Sequence, residues 1–357
     1  MADLMKGSYT YEELANKYGN FFVPAVRLYV NGKEVSQDIT RHITAVQVSL
    51  SLSAAGAAVV HFAGIYDRQK RAFDSDVKSK FKLGTIVEIG LGYGSEVTKV
   101  LKGFVALLRA DFQEDPGIAV TIMDVRRLMM TSGVSEVLHE AKNYSDVVKK
   151  ILQDYSKLCK PEIDATNDKL EDPVSQKATD YDFIAGDLAR RCGREFFVLG
   201  GKAYFRKPRK ETSSVMKLEY GKDLLSFRSE SSYLDLQIQV SGYNQQEQKK
   251  ITASAAAKSG ESQTSLMSKT PVSCVTDPQA DTQDKARVRA EAIASMVKAS
   301  AQRAGGTCIG LPEIVPGRFL EVVKLEDMAN RKYYVTSVTH SMSAKSFVTQ
   351  FETGGWA

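Results

Sequence analysis

Histidine and cysteine are the side chains of this sequence best suited to bind a metal or to act in catalysis. The four histidines have no metal-ligand spacing and fall in or beside different predicted elements; they are His42, His61, His139 and His340. The four cysteines lie far apart without a C-x-x-C pair; they are Cys159, Cys192, Cys274 and Cys308. Such spacing suits free thiols in a reducing compartment better than a disulfide framework. We therefore expect no metal site, no cofactor and no catalytic residue among these groups.

Two acidic residues and one glycine-rich loop are the remaining candidates for chemistry. Asp180 and Asp182 come at the start of a predicted helix, where carboxylates cap backbone N–H groups far more often than they act as paired acid and base. The loop GLGYGSE (90–96) is similar to a phosphate-binding loop, but a strand follows it instead of a helix. A hairpin turn is the expected structure there.

Basic residues cluster where a predicted helix passes into a predicted hairpin, in ATDYDFIAGDLARRCGREFFVLGGKAYFRKPRK (178–210). Tyr204 and Phe205 interleave with this charge, as in proteins that bind single-stranded nucleic acid. Adjacent strand residues point to opposite faces, however, and Pro208 ends the strand, which favours a solvated exit from the hairpin. The alternative is an electrostatic contact with an acidic protein partner. The candidate contact residues are Arg190, Arg191, Arg194, Lys207 and Arg209.

Length and composition describe an ordinary globular chain. Its 357 residues leave room for two or three domains, and 43% are hydrophobic and 25% charged. The net charge of +5 permits contact with acidic surfaces but is too mild to indicate a nucleic-acid-binding protein. No apolar run reaches membrane-spanning length, and residues 1–20 lack the apolar core of a secretory signal.

Strand patterns with a period of two dominate both ends of the chain. Six predicted strands between residues 25 and 124, with little helix, indicate a barrel or a sandwich. Strand patterns return after residue 211 and continue to residue 353. Between these parts we expect a small α/β module, in which a helix over 180–192 packs on a hairpin over 195–206.

The segment from Gln245 to about Asp284 is polar and has the composition of a linker or a long loop. An alanine-rich helix follows over 284–306 and ends at a pair of glycines.

Two distant parts of the chain share one strand pattern. LGTIVEI (83–89) resembles PGRFLEVV (316–323), and GFVALLRAD (103–111) resembles YYVTSVTHS (333–341). In the first pair a glycine precedes a strand that carries a glutamate between hydrophobic residues. The pattern favours two β domains of related design, with a chance recurrence of strand alternation as the competing explanation.

A third pair of segments extends the recurrence. GIAVTIMD (117–124) aligns with SFVTQFET (346–353), which places Val120 over Thr349. Loop differences of a few residues account for the small drift between the three alignments.

The order of these segments resembles one protein family. TDYDFIAGDLARRCGREFFVLGGKAYF (179–205) is similar to the T-D-x-D-F-[LI]-x-x-L-A-x-x-x-G-x-x-[FW] segment of the late control protein D family of contractile phage tails. PGRFLEVVKLEDMANRKYYVTSVTHSMSAKSFVTQFET (316–353) resembles the closing segment of that family, P-G followed by Y-x-V-x-x-V-x-H. The hub portion of the valine-glycine-repeat spike proteins of type VI secretion shares this architecture. The resemblance covers nearly the whole chain and depends on the order of motifs that are individually weak.

The resemblance implies a mainly β fold with an α+β module, in which two tube-like β-barrel domains flank a small α/β domain and the chain assembles as a trimer. The resemblance implies an N-terminal segment (1–20), a first tube-like domain (21–125), the α/β connecting module (126–212) and a second tube-like domain (213–357). The second domain would carry an insertion at 245–306, made of a linker and a helix.

The implied function is that of a non-enzymatic structural hub in the baseplate of a contractile phage tail or a phage-tail-like particle. As a homotrimer it would adapt a hexameric tube to a trimeric spike. Because the sequence stops after QFETGGWA, we expect the spike to be a separate protein. The other expected partners are the tail tube protein, baseplate proteins and a tape-measure protein, with no membrane and no specific nucleic acid. Assembly would take place in the bacterial cytoplasm, and the product would be part of a virion or particle.

Two other functions are compatible with the sequence. A baseplate-associated cell-wall hydrolase would need a cleft with positioned carboxylates or a metal. A carrier of cargo or of a tape-measure segment would use 245–284 as a flexible docking arm.

Overall fold

The protein is mainly β, with one large sheet that receives strands from both ends of the chain. The structure is a computed structural model and describes residues 4–133, 136–170, 172–259, 266–327, 329–344 and 346–356. We divide the elements into a first lobe, an α/β module, a second lobe and an insertion in the second lobe.

The first lobe precedes residue 125 and is built from strands with three short helices. Its elements are α1 (Tyr11–Lys17), β1 (Pro24–Val30), β2 (Lys33–Glu34), α2 (Gln37–Thr40), β3 (Ile43–Ser51), β4 (Ala57–Phe62), β5 (Tyr66–Asp67), β6 (Ala72–Phe73), α3 (Ser75–Lys80), β7 (Ile86–Tyr93), β8 (Glu96–Asp111) and β9 (Gly117–Met123), with a 3₁₀ turn at Gly19–Phe21. The loop at 90–96 is the expected hairpin turn, because β7 ends and β8 begins inside it.

The α/β module follows and has its own hydrophobic core. Its elements are α4 (Arg126–Met129), β10 (Val137–His139), α5 (Tyr144–Gln153), β11 (Lys160–Ile163), β12 (Val174–Gln176), a π-helical segment (Asp182–Leu188), α6 (Ala189–Arg191), β13 (Glu195–Leu199) and β14 (Lys202–Arg206). β13 and β14 form the expected hairpin. β11 pairs with β14 in parallel, which completes a three-stranded sheet.

The second lobe and its insertion make up the rest of the chain. The lobe contains β15 (Ser214–Glu219), β16 (Leu224–Ser231), β20 (Gln302–Ile309), β21 (Phe319–Val323), β22 (Lys332–Ser343) and β23 (Phe347–Trp356). The insertion between β16 and β20 contains β17 (Asp235–Asn244), β18 (Lys249–Lys258), β19 (Val272–Thr276) and α7 (Gln283–Ala301).

The two lobes repeat one strand order. The first-lobe series β3-β4-β9-β8-β7-β1 corresponds strand by strand to the second-lobe series β16-β20-β23-β22-β21-β15. The first four pairings are antiparallel in both series. The series differ at the last pairing, since β1 is antiparallel to β7 and β15 is parallel to β21. The lobes are joined by a direct antiparallel pairing of β3 with β22, so their strands form one sheet.

The repeat extends to single backbone hydrogen bonds. Gly84 N donates to Val105 O at 2.9 Å, and Gly317 N donates to Val335 O at 2.9 Å. The φ angles of the two glycines are +81° and +84°, a left-handed conformation that glycine adopts without strain. A bulge follows directly after Val105 in β8 and directly after Val335 in β22. The segments that resemble each other in the sequence therefore lie at equivalent places in the fold.

One alignment expected from the sequence is wrong by two residues. Alternation placed Val120 over Thr349. In the structure, Val120 lies opposite Leu108, and the residue opposite Val338, which is equivalent to Leu108, is Phe351. Val120 and Phe351 are therefore the equivalent pair. A slip of two residues leaves every side chain on its original face, so alternation alone could not detect it.

The segment expected to be a linker is folded in the part that the structure describes. β18 pairs with β17 along its whole length, β19 joins β17 in parallel, and α7 packs on this small sheet. Small residues form the contact, among them Ala253 and Ala257 of β18 with Ala286 and Ala290 of α7. Alanine-rich strands have little intrinsic β propensity, which is why the composition indicated a loop. The same segment cannot serve as an unfolded docking arm here; the part of that expectation that falls on 260–265 lies outside the described residues.

Candidate functional site

The hairpin of β13 and β14 lies between two hydrophobic cores. Gly200 and Gly201 both have positive φ, 55° and 80°, as the tightest two-residue turns require. On one face, Phe196, Val198, Ala203 and Phe205 belong to the core of the α/β module. On the other, Phe197, Leu199 and Tyr204 belong to the core that the two lobes share. We call this hairpin the joint, because its two faces connect the module with the lobes.

A buried ion pair fixes the joint to the second lobe. Arg206 Nε lies 3.0 Å from Glu195 Oε1, and the two side chains are only 4% and 14% exposed. Arg206 Nη2 donates to Gly317 O at 2.7 Å, and the Tyr334 hydroxyl donates to Glu195 Oε1 at 2.8 Å. Burial raises the pKa of Glu195, while the positive charge of Arg206 acts in the opposite direction. The repeated glycine turn of the second lobe is thus held by a residue of the joint.

A second buried ion pair fixes the joint to the first lobe. Arg126 Nη2 lies 2.7 Å from Asp124 Oδ2, and both side chains are inaccessible to solvent or nearly so. Arg126 also donates to Ser51 O at 2.8 Å and to Val198 O at 3.4 Å. Asp124 accepts from Gly56 N at 2.6 Å. One arginine therefore contacts the end of β3, the residue after β9 and the joint, so separating these segments would cost the hydrogen bonds of a buried guanidinium.

A third buried cluster connects the N-terminal helix with the two lobes. Glu313 Oε1 accepts from Tyr18 Oη at 2.6 Å, from Lys17 Nζ at 2.7 Å and from Thr98 Oγ1 at 3.2 Å. Burial and the neighbouring carboxylate raise the pKa of Tyr18, so its hydroxyl stays a hydrogen-bond donor. Sequence patterns do not indicate this cluster, because Glu313 is distant along the chain from Lys17, Tyr18 and Thr98. The same holds for the bonds of Arg126 to Ser51 O and Val198 O, although its ion-pair partner Asp124 is only two residues away.

The five candidate contact residues do not share one environment. Arg190 and Lys207 are exposed. Arg191 lies 2.5 Å from Asp187, and Arg194 donates to Ala165 O at 3.3 Å, both inside the α/β module. Arg209 donates to Gly354 O at 3.2 Å and lies over the ring of Tyr334. Three of the five therefore have partners within the chain.

The hydroxyl of Thr179, and neither of the two predicted carboxylates, accepts the N–H bond at the helix start. Asp182 N donates to Thr179 Oγ1 at 3.2 Å, and the Thr179 hydroxyl donates to Asp182 Oδ2 at 2.8 Å, an arrangement similar to a capping box. Asp180 instead accepts from Tyr155 Oη at 2.5 Å and from Gln176 Nε2 at 2.7 Å. Burial and Asp180 together raise the pKa of Tyr155. Asp180 thus connects the turn after α5 and the strand β12 with the helix, and the prediction that Asp180 and Asp182 accept helix N–H bonds was wrong.

The histidines and cysteines are dispersed through the fold. Buried His340 contacts Thr349 at 2.9 Å, whereas His139 contacts Gln176 at 2.7 Å in the α/β module. Burial lowers the pKa of His340 to about 3 and raises the pKa of Cys159 to about 11. Within the described ranges, no three His, Cys, Asp or Glu side chains come together as a possible metal site. No helix in those ranges is long and apolar enough to span a bilayer.

The family is shown by a match over most of the chain. A family model described as the Alg8 N-terminal domain matches residues 22–344. The chain belongs to this family. No curated protein sequence matches this member of the Alg8 N-terminal domain family.

Solved structures share the fold at low sequence identity. A tail protein from Neisseria meningitidis MC58 has a TM-score of 0.69 at 11% identity, and the match covers 94% of this chain and 97% of that one. The 43 kDa tail protein of prophage MuSo2 from Shewanella oneidensis has a TM-score of 0.68 at 13% identity, covering 92% and 98%. The E. coli c3393 protein, described as a component of the type VI secretion system, has a TM-score of 0.60 at 11% identity, covering 92% and 77%. This member of the Alg8 N-terminal domain family therefore has a tail-protein fold.

Proposed function

We propose that the chain is the structural hub of a contractile phage tail or a tail-like particle and that it assembles as a homotrimer. The observation that carries the proposal is the repeated strand order of the two lobes. Three copies would place six similar β units around one axis. Such a ring matches a hexameric tube on one side and a trimeric spike on the other, as a symmetry adaptor requires.

The solved structures with the same fold support this assignment, since they include phage tail proteins and a type VI secretion component. We infer that the lobes act as two tube-like barrel domains, bounded near residues 21–125 and 213–357, and that the module at 126–212 connects them along the chain and packs on both through the joint. The proposed partners are a separate spike protein, the tail tube protein, other baseplate proteins and a tape-measure protein. Assembly would take place in the bacterial cytoplasm before incorporation into the particle baseplate.

The exposed basic residues near the joint are a candidate contact for an acidic partner. Arg190 and Lys207 are exposed, so they can pair with carboxylates of another chain. Changing both to Glu should weaken assembly with that partner while leaving the internal ion pairs intact. Unchanged assembly of this double variant would show that the basic residues only solvate the surface.

Native mass spectrometry of the purified chain, alone and with tube and spike proteins added, tests the hub. The expected species has three times the chain mass, and electron microscopy of the complex with tube protein should show it at one end of the tube. A chain that stays monomeric under all of these conditions contradicts the proposal.

A further inference from the structure

The two strands that join the lobes within one chain have equivalents in the repeat, and in the described structure these equivalents do not pair with each other. In that pairing, residues 45–51 of β3 lie antiparallel to residues 337–343 of β22. The repeat gives each strand an equivalent in the other lobe, β16 for β3 and β8 for β22. If the equivalents paired in the same way, they would join the second lobe of one chain to the first lobe of another.

Both equivalent strands have an open edge in the described structure. β8 pairs with β7 only up to Phe104, and from residue 107 to its end at Asp111 its one paired neighbour is β9. β16 pairs with β20 and is the terminal strand of the large sheet. Open edges carry unpaired backbone N–H and C=O groups that can receive another strand.

We propose that β16 of one copy pairs antiparallel with the end of β8 in the next copy, as β3 pairs with β22 within a chain. The inference rests on the proposed function in one respect, that the chain assembles with copies of itself. It adds which strands meet and in which register.

The repeat transfers the register from the internal pairing. Gln47 of β3 connects through β4 to Thr121 of β9, and Arg228 of β16 connects through β20 to Glu352 of β23. Thr121 and Glu352 are equivalent, because they directly follow the equivalent residues Val120 and Phe351. Gln47 therefore corresponds to Arg228.

Further along the same strands, Ser49 corresponds to Glu230. The two strands also share a bulge, which falls after Ile43 in β3 and after Leu224 in β16. The equivalence of β3 and β16 thus holds along their length.

The transferred register brings opposite charges together. Within the chain, Ser49 faces Thr339 with their hydroxyls 3.3 Å apart, and the equivalents of these residues are Glu230 and Arg109. Two residues away along each strand, Gln47 faces Ser341, and the equivalents of these residues are Arg228 and Asp111. Glu230 of one copy therefore faces Arg109 of the next, and Arg228 faces Asp111.

These four charged side chains are available for the contact. Arg109 and Asp111 form an exposed ion pair at 3.0 Å, and Arg228 and Glu230 form another at 3.2 Å. Charges on an edge strand discourage pairing with unrelated strands. Here the signs on the two edges alternate in complementary order, which favours one partner in one register.

The apolar face of β8 is also more exposed to solvent than the equivalent face of β22. Leu108 and Phe112 are 39% and 67% exposed, whereas their second-lobe equivalents, Val338 and Met342, are 1% and 8% exposed beside β3. A groove of about 580 Å³ lies at this place, and its lining includes Leu108, Ala110, Val120 and Phe81. Exposed apolar residues at positions that are buried in the repeat indicate a missing strand.

The proposed contact closes into a ring. It joins two different surfaces head to tail, so each copy uses one edge on either side. In a trimer, the three internal β3–β22 pairings would alternate with three β16–β8 pairings around six lobes.

Charge exchange in the full-length chain tests the pairing. The variant R109E/D111R inverts the β8 edge, and R228E/E230R inverts the β16 edge, while each keeps its own ion pair and net charge. We expect each variant to raise the concentration at which the trimer dissociates at least tenfold. Combining the two should restore assembly, because the facing charges are again opposite. The exposed α7 pair supplies the control, R287E/E291R, which should leave assembly unchanged.

Disulfide trapping tests the register. Ala110→Cys and Ser229→Cys lie opposite each other in the proposed pairing, within reach of a disulfide. With the exposed Cys274 changed to Ser, oxidation should give covalent trimers. Ala110→Cys with Ser231→Cys is displaced by two residues and should not cross-link efficiently.

The outcomes separate this pairing from the hub itself. If native mass spectrometry shows a trimer whose stability is the same in both charge-exchange variants, and no in-register cross-link forms, the proposed pairing is wrong and the proposed hub function is unaffected. A wild-type chain that forms no trimer with or without its partners overturns the proposed function, and the pairing with it.

Discussion

Removing the cation of the joint should destabilise the whole chain in a pH-dependent way. In Arg206→Met, the Glu195 carboxylate keeps its buried position and loses the guanidinium 3.0 Å away, although the Tyr334 hydroxyl still donates to it. Breaking a buried ion pair on one side costs about 3–5 kcal/mol. The remaining donor places the expected loss at the lower end, about 3 kcal/mol of unfolding free energy at pH 8.

The pH dependence follows from the carboxylate left behind. Burial already raises the pKa of Glu195 with Arg206 present, and removal of the opposing positive charge raises it further. A carboxyl whose pKa is higher in the folded state destabilises the fold above that pKa, and the penalty disappears as the pH falls towards the unfolded value. The deficit of Arg206→Met relative to wild type should therefore shrink between pH 8 and pH 5.5.

Urea unfolding followed by circular dichroism at the two pH values measures both effects. Lys207→Met is the control, because Lys207 is an exposed cation that directly follows β14 in the sequence. We expect it to cost less than about 1 kcal/mol, the size of one ordinary hydrogen bond, at either pH. An Arg206→Met deficit as small as that of the control, or one that is equal at both pH values, would refute the role given to the ion pair.

Two other substitutions probe the repeat and the buried histidine. Gly84→Ala places a Cβ in open space, so it should cost only the backbone strain of about 1–2 kcal/mol of unfolding free energy. Gly317→Ala brings a Cβ to 2.9 Å from Arg206 and should cost about 1–3 kcal/mol more. Equal losses for the two variants in urea unfolding would contradict this expectation. The lowered pKa of His340, about 3, gives stability that is complete above about pH 6.5 and is lost as the pH falls. Between pH 7 and pH 4.5, wild type should lose about 2–3 kcal/mol more unfolding free energy than His340→Gln, and the control His61→Gln should behave like wild type. Thermal melts at the two pH values measure this difference. The same loss in all three proteins would exclude this account.

Local signals in the sequence were sufficient to predict the main strands of the first lobe and the joint, but β16 and β20 of the second lobe were missed. The helix expected over 284–306 ends at Ala301, and the two glycines expected to end it lie in β20. The glycines at 84 and 317 open equivalent strands, and the Gly200-Gly201 turn closes the hairpin where expected. These features depend on residues close in sequence, so they are visible without a structure. The alignment of β23 with its equivalent strand β9 was wrong by two residues, because a slip by an even number of residues keeps every side chain on the same face.

Contacts between distant residues were beyond sequence reasoning. Glu313 bonds to Tyr18, 295 residues away, and nothing near either residue marks the pair. Arg126 reaches the end of β3 and the joint in the same way. The strand β18 was missed for another reason, because its small residues gain their stability from the alanines of α7 and not from their own propensity.

The antiparallel pairing of β3 with β22 has a consequence during synthesis. Ser49 meets Thr339 across 290 residues, so the ribosome must translate nearly the whole chain before β3 gains its second neighbour. At about 5–20 residues per second, this edge of the nascent polypeptide waits roughly 15–60 s for its strand. During that interval the unfinished lobe needs protection from aggregation, and a chaperone that shields β3 until translation ends would raise the yield of folded protein.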